Sequence, residues 1–138
     1  MPDVFTPAER SAVMRAVRSR DTSPERVVRK IVTALGVRYR LQGRKVPGNP
    51  DLVFAGLKKV VFVHGCFWHR HRCPKGQSMP ATRVKFWQAK FDRNVARDAA
   101  VKRLLRRDGW RSLVIWECQL KPDRIDRTTE RLRKFLSI

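Results

Sequence analysis

Long apolar runs are missing from this chain. Val60 to Val63, stopped by His64, is as long as any becomes, far short of the ~18 residues that a membrane span needs, so no transmembrane helix is expected. The start, MPDVFTPAER, lacks a basic stretch followed by an apolar one, so no signal peptide is read there and a cytoplasmic, nucleoid-associated setting is expected. Cysteine is scarce, with three in all, and an odd count without a secretion signal argues against a disulfide framework. Repeats, low-complexity tracts and long linkers are also absent. Residues 1–138 therefore read as a single domain, expected to be a monomer, with 1–22 as an N-terminal arm.

Acidic residues are few as well: 12 Asp and Glu face 32 Lys and Arg, a net charge of +20. So much charge of one sign on so short a chain is self-repelling unless a polyanion shares the surface, and nucleic acid is the partner class this implies. Charge alone names no chemistry.

What is present is ordered punctuation. Thr6-Pro7 with Glu9 reads as a helix start, running to about Val17, and Ser23-Pro24 repeats the signal for a helix through Leu35 that stops at Gly36. Short β-branched or aromatic runs follow at Val37 to Leu41, Asp51 to Phe54 and Lys59 to His64, the last two joined at Ala55-Gly56. Val84 to Leu105 carries apolar groups at helical spacing up to Gly109. A strand at Arg111 to Trp116 and a helix from about Pro122 to Phe135 end the chain. The expected pattern is ααβββαβα, an α/β fold with a central mixed β-sheet flanked by helices.

All three histidines, His64, His69 and His71, lie within eight residues, with Cys66 and Cys73 among them. Zinc asks for four soft or borderline ligands in a tetrahedron, and Cys66, His71 and Cys73 offer three from one loop, with Cys118 available from a strand end. The competing reading is a loop disulfide with Cys118 as a buried thiol. A zinc quartet leaves His64 and His69 over.

Asp51 follows Pro50 at the start of one strand, and His64 ends the next. This resembles restriction-like nucleases, whose Pro-Asp pair is answered by an acid-x-Lys triplet to hold Mg²⁺. Here the second half is Phe62-Val63-His64. That departure, with HGCFWH at His64 to His69 and the following His71 and Cys73, resembles the very short patch repair (Vsr) mismatch endonucleases. The resemblance extends through SRDT at Ser19 to Thr22, Glu25, PGNPD at Pro47 to Asp51, PATR at Pro80 to Arg83, Phe86-Trp87, Lys90, Asn94-Val95, Arg97-Asp98, GWR at Gly109 to Arg111 and VIWEC at Val114 to Cys118. Position 63, commonly Thr in that pattern, is Val, and residues 74–79 lack the expected apolar and aromatic stretch.

The resemblance implies a restriction-endonuclease-like core with a structural Zn²⁺ at Cys66, His71, Cys73 and Cys118. It implies catalytic Mg²⁺ on Asp51 and the main-chain carbonyl of Val63, His69 as general base, and Glu25 and His64 touching metal-bound water or phosphate. The implied activity is strand-specific nicking of double-stranded DNA at a T·G mispair left by 5-methylcytosine deamination, with mismatch-repair accessory proteins as further partners.

Large apolar groups pushed between bases sense a mispair because a poorly stacked step opens at lower cost. Phe67 and Trp68 stand in a loop with little core to enter, and the resemblance implies that both intercalate while Met14 wedges in from the opposite groove. Lys90 and Asn94, four apart, share a helix face that can address base edges or phosphates, and Trp87 one turn earlier can stack or pack. Two rival readings remain: a zinc-stapled DNA-binding module without catalysis, and a nickase of the same fold with another target.

Overall fold

The computed structural model describes residues 22–41 and 46–137; the expected helix from Thr6 to Val17, Met14 and all of the arm but Thr22 lie outside them. The first described helix, α1 (Ser23–Ala34), is capped by Thr22, whose hydroxyl accepts from the Glu25 amide at 3.5 Å. The cap therefore falls one residue before Ser23, which places Pro24 in the first turn, where its missing N–H costs nothing. Gly36, at φ +79°, ends the helix in the left-handed conformation that glycine adopts without penalty.

Four strands follow: β1 (Arg40–Leu41), β2 (Leu52–Phe54), β3 (Lys59–His64) and, after the helices below, β4 (Arg111–Trp116). They form one sheet in the order β1-β2-β3-β4, antiparallel except for the parallel β3-β4 pair. The strand expected over Val37 to Leu41 contracts to two residues, Arg40 and Leu41, which pair with Val53 and Leu52 of a β2 only three residues long. Between β3 and β4 come a short helix α2 (Pro74–Gln77), which the pattern above did not contain, and the long α3 (Val84–Arg107). A 3₁₀ turn over Glu117–Leu120 leads into α4 (Ile125–Phe135).

Both sheet faces are covered, as the near-continuous apolar run of β3 requires. On one face Leu52, Phe54, Val61 and Ile115 pack against Val28 and Val32 of α1 and Leu132 of α4, with Leu136 just past it. On the other, Val53, Val60 and Phe62 pack against Leu105 of α3 and the half-buried Val101 and Trp110. Side chains alternate along a strand, so His64 falls on the same face as Val60 and Phe62, under α3. Its register partner on β4 is Trp116. The C-terminal ends of the parallel pair thus open beneath the middle of α3, and the site lies there.

Candidate active site and metal centre

Two carboxyl groups meet at one wall of an open cleft of about 1400 Å³. Asp51 Oδ2 accepts the Val63 amide hydrogen at 2.6 Å, which ties the start of β2 to the end of β3. Burial pushes the Asp51 carboxyl up, and the neighbouring Glu25 carboxyl adds to this; the Val63 N–H and the charge of Arg29 pull the other way, leaving it at about 7. Two acids crowded together under partial burial resist joint ionisation and favour a cation between them. That is the donor chemistry a hard divalent ion fits.

A histidine row lines the same cleft. The rings of His64 and His69 stack with centroids 3.7 Å apart and planes 6° from parallel. His69 Nδ1 meets Asp98 Oδ2 at 2.6 Å. Burial, followed by the neighbouring His69, holds His64 down at about 4, so it is neutral at pH 7. Its Nδ1 is buried with no hydrogen-bond partner among the described residues. Because Asp98 is an acceptor, it selects the His69 tautomer that carries its proton on Nδ1 and leaves Nε2 free to accept one. Sequence reasoning gave Asp98 no role: it lies 29 residues from His69 and no short motif joins them. The available signal was its position one turn after Asn94 on the same helix face.

Behind this row, Cys66, His71, Cys73 and Cys118 bring one ligand atom each to within 4.8 Å of one another, and Cys118 Sγ lies 3.5 Å from His71 Nδ1. All three cysteines are free thiols, so the disulfide reading has no support. Burial raises the Cys66 thiol. At Cys73 burial acts in the same sense but is outweighed by hydrogen bonds from the Gly76 amide, His71, Cys66 and Cys118, which bring it down to about 6. Three sulfurs and an imidazole converging at this range, one thiol poised to ionise, fit a tetrahedral metal site. The short α2 closes the loop over it: Gly76 lies so close that a Cβ there would sit 1.9 Å from the His71 carbonyl oxygen. Glu117 Oε1 accepts the Cys66 amide and the Lys75 ammonium, each at 3.1 Å, and so joins the loop to the end of β4. Trp116 stacks on His71 at 4.3 Å and meets His64 edge-on at 5.2 Å, a shared wall between the thiol cluster and the histidine row.

The loop aromatics are packed more fully than expected. Phe67 meets Trp68 and Phe91 at 5.1 Å and Trp87 at 5.9 Å, all near perpendicular, and Trp68 leans on Trp87 at 5.7 Å. Trp87 and Phe91 are themselves buried one turn apart on α3, and this aromatic platform receives the loop. Trp87 therefore packs. Phe67 and Trp68 stay half-buried and both line the cleft. Lys90 and Asn94 do share a helix face, but it is turned toward the loop: Lys90 is 7% exposed with Nζ 5.4 Å from the Trp68 ring centre, and Asn94 Nδ2 donates to the Trp68 carbonyl at 3.1 Å. In the structure both side chains hold Trp68, because the loop folds back onto α3 and lies against their face, and Asn94 also lines the cleft.

This arrangement has relatives. The family described as DNA mismatch endonuclease Vsr matches residues 2–75. The DNA mismatch endonuclease Vsr of Escherichia coli (strain K12) is 43% identical over 121 residues, 88% of this chain and 77% of that one. The type II nicking enzyme V.XorIIP of Xanthomonas oryzae pv. oryzae is 43% identical over 120 residues, 87% of this chain and 88% of its own. Among solved structures, the catalytic domain of the homing endonuclease I-Bth0305I superposes with a TM-score of 0.57, covering 83% of this chain and 94% of that one at 23% identity, a likeness of fold.

Proposed function

The chain belongs to the Vsr DNA mismatch endonuclease family, and from that premise we propose that it nicks one strand of duplex DNA at a T·G mispair, with Mg²⁺ in the cleft and Zn²⁺ in the thiol cluster. The observation that carries the reading is that the Asp51–Glu25 carboxyl pair and the Asp98–His69–His64 row line one cleft. A non-catalytic DNA-binding module has no use for such an arrangement.

In phosphodiester hydrolysis a water oxygen attacks phosphorus while the bond to the leaving oxygen breaks, and the water must lose a proton as it does so. His69 Nε2 is the acceptor proposed for that proton. Asp98 at Nδ1 holds the tautomer and stabilises the imidazolium that forms, as a carboxylate behind a catalytic histidine does. His64 keeps the His69 ring in plane by stacking, and because it stays neutral it adds no repulsion when His69 becomes charged. The residues proposed to hold Mg²⁺ are Asp51 and the Val63 carbonyl, with Glu25 acting through water, and when bound the ion supplies neutralisation of phosphate charge. Cys66, His71, Cys73 and Cys118 are proposed to hold Zn²⁺ that staples the His69 loop to the end of β4.

Mispair sensing is assigned to the cleft-facing edges of Phe67 and Trp68, supported from behind by Trp87, Phe91, Lys90 and Asn94. Met14, in the arm proposed to contact DNA, is assigned the opposite wedge. A cytoplasmic, nucleoid-associated monomer aided by mismatch-repair accessory proteins completes the proposal; no helix among the described residues is long and apolar enough to cross a membrane. A nickase with another target is the second reading, favoured by relatives named as type II nicking enzymes. The test is Asp51→Ala and His69→Ala: both should abolish nicking and leave mismatch binding largely intact. Loss of binding in step with loss of cutting would overturn the catalytic assignment.

A further inference from the structure

The cleft accounts for one flank of α3, and the other flank is also built for an anion. Where the end of α3 overhangs the start of β4, Lys102, Arg106, Trp110, Arg111 and Ser112 line a concavity of about 300 Å³ that shares no lining residue with the catalytic cleft. Residues 101–112 carry five Lys and Arg and a single acid, Asp108, and that acid is already engaged by Arg107 at 3.4 Å. Lys58 caps the group, with Nζ donating to the Asp108 carbonyl at 2.8 Å and lying 5.5 Å from the Trp110 ring centre. Lys102 and Arg106 are one turn apart on the same face, a like-charge spacing that opposes the helix. The side chains of Lys102, Arg106 and Arg111 have no hydrogen-bond or ion-pair partner among the described residues. Lys75, Arg131 and Arg133, by contrast, each reach an acceptor side chain, and other cations without such a partner among the described residues, Arg124 and Arg127 among them, lie outside this concavity.

The position decides the partner. Arg111 pairs with Lys59 at the start of the parallel strands, and Trp116 with His64 at their end. Five residues of strand at ~3.3 Å each separate the concavity from the histidines by roughly 17 Å, on the far flank of the helix. The two surfaces share no lining residue and lie on different flanks of α3, so a straight duplex seated in the cleft is not expected to fill both. Trp110 is half-buried against the core and Lys58 lies over its ring, which leaves little open face for stacking an unpaired base. Unpaired cations without a stacking platform suit the phosphate backbone of duplex DNA.

We propose that Lys102, Arg106 and Arg111 form a second DNA site, which holds the phosphates of another duplex segment while the cleft is occupied. The proposal rests on the reading of the chain as a DNA endonuclease. It adds a means of passing from one segment to another during the search for a mispair, since binding through phosphates alone is independent of sequence.

The experiment immobilises a short T·G duplex of about 14 base pairs, ~48 Å long at ~3.4 Å per step, loads the protein without divalent ion, and adds a labelled matched duplex of the same length. The wild type should retain the second duplex. The Lys102→Ala, Arg106→Ala, Arg111→Ala variant should retain at least about tenfold less, and with three phosphate contacts removed the salt slope of any residual capture should flatten by about 2.7. A control variant, Arg124→Ala, Arg127→Ala, Lys134→Ala, removes the same charge from α4 and the residue that precedes it and should capture as the wild type does. Nicking of the short T·G duplex should be unchanged in both variants, and that readout separates failure of this site from failure of the endonuclease reading. The proposal is overturned by absence of second-duplex capture in the wild type, by equal capture in the Lys102 variant, or by equal losses in the two variants. It is also overturned if the Lys102 variant loses affinity only for a single long duplex, which would place these residues on the flank of the first.

Discussion

Replacing Asp98 by Asn exchanges one carboxylate oxygen for an NH₂ beside His69 Nδ1 and leaves shape almost untouched, so its effect isolates what the carboxylate does. The wild-type contact is 2.6 Å between groups whose side chains are 20% and 29% exposed. A hydrogen bond to a charged group is worth about 1.5–3 kcal/mol, and partial exposure places this one toward the lower end, roughly tenfold in rate. The second effect is larger. An asparagine that turns its NH₂ toward Nδ1 makes that nitrogen an acceptor, moves the ring proton to Nε2 and removes the base; the equivalent change in a serine-protease triad costs about 10⁴. The expected loss in single-turnover nicking of a T·G duplex is therefore between about 10² and 10⁴, with duplex affinity measured by fluorescence anisotropy little altered. An Asp98→Asn enzyme that nicks within about threefold of wild type, less than 1 kcal/mol in barrier, would refute the tautomer argument.

Further outcomes follow from the same geometry. Gly76→Ala places a methyl 1.9 Å from the His71 carbonyl oxygen, so it should cost about 1–3 kcal/mol through forced backbone movement and speed zinc loss to a chelator; zinc retention equal to wild type would be contrary. Asp51 takes up a proton near pH 7 in the folded chain against an ordinary value of 3.8, so between these the folded state binds the proton more tightly. Metal-free stability should therefore fall as pH rises toward about 7, and divalent-ion affinity should rise over the same range, by up to tenfold per pH unit. Asp51→Asn should flatten the stability trend in melting experiments, and an unchanged slope would mean that another group sets it. The Phe67→Ala, Trp68→Ala pair should lose binding at T·G far more than on matched DNA, with the salt dependence of the remainder unaltered, because phosphate contacts do not distinguish the two duplexes. Equal preference in that variant would remove the wedge.

The strands that hold the site were legible because their signals were local. Lys59 to His64 and Arg111 to Trp116 are β-branched runs closed by glycine or polar residues, and both appear with those bounds. The convergence of the thiol cluster was legible because three of its members lie within one short loop. What sequence did not carry is tertiary. Asp98 acquires its role only when α3 crosses the ends of β3 and β4. Phe67 and Trp68 look stranded until Trp87 and Phe91, one turn apart, present a platform beneath them. Lys90 and Asn94 had the right spacing for a shared face, but periodicity does not say that a loop already occupies it. The short α2 was missed because four residues containing a glycine have no helical period to detect, and β1 shrank because its partner strand is only three residues long.

The central claim, that this cleft cuts one strand at a mispair, is tested most directly with end-labelled duplexes differing in a single T·G pair, each incubated with and without Mg²⁺. The account predicts one nick, in one strand, in the T·G duplex with Mg²⁺, and none in the other three reactions. Cutting of matched and mismatched duplexes alike would contradict mispair recognition, and binding to T·G without any Mg²⁺-dependent nick would contradict the endonuclease assignment itself.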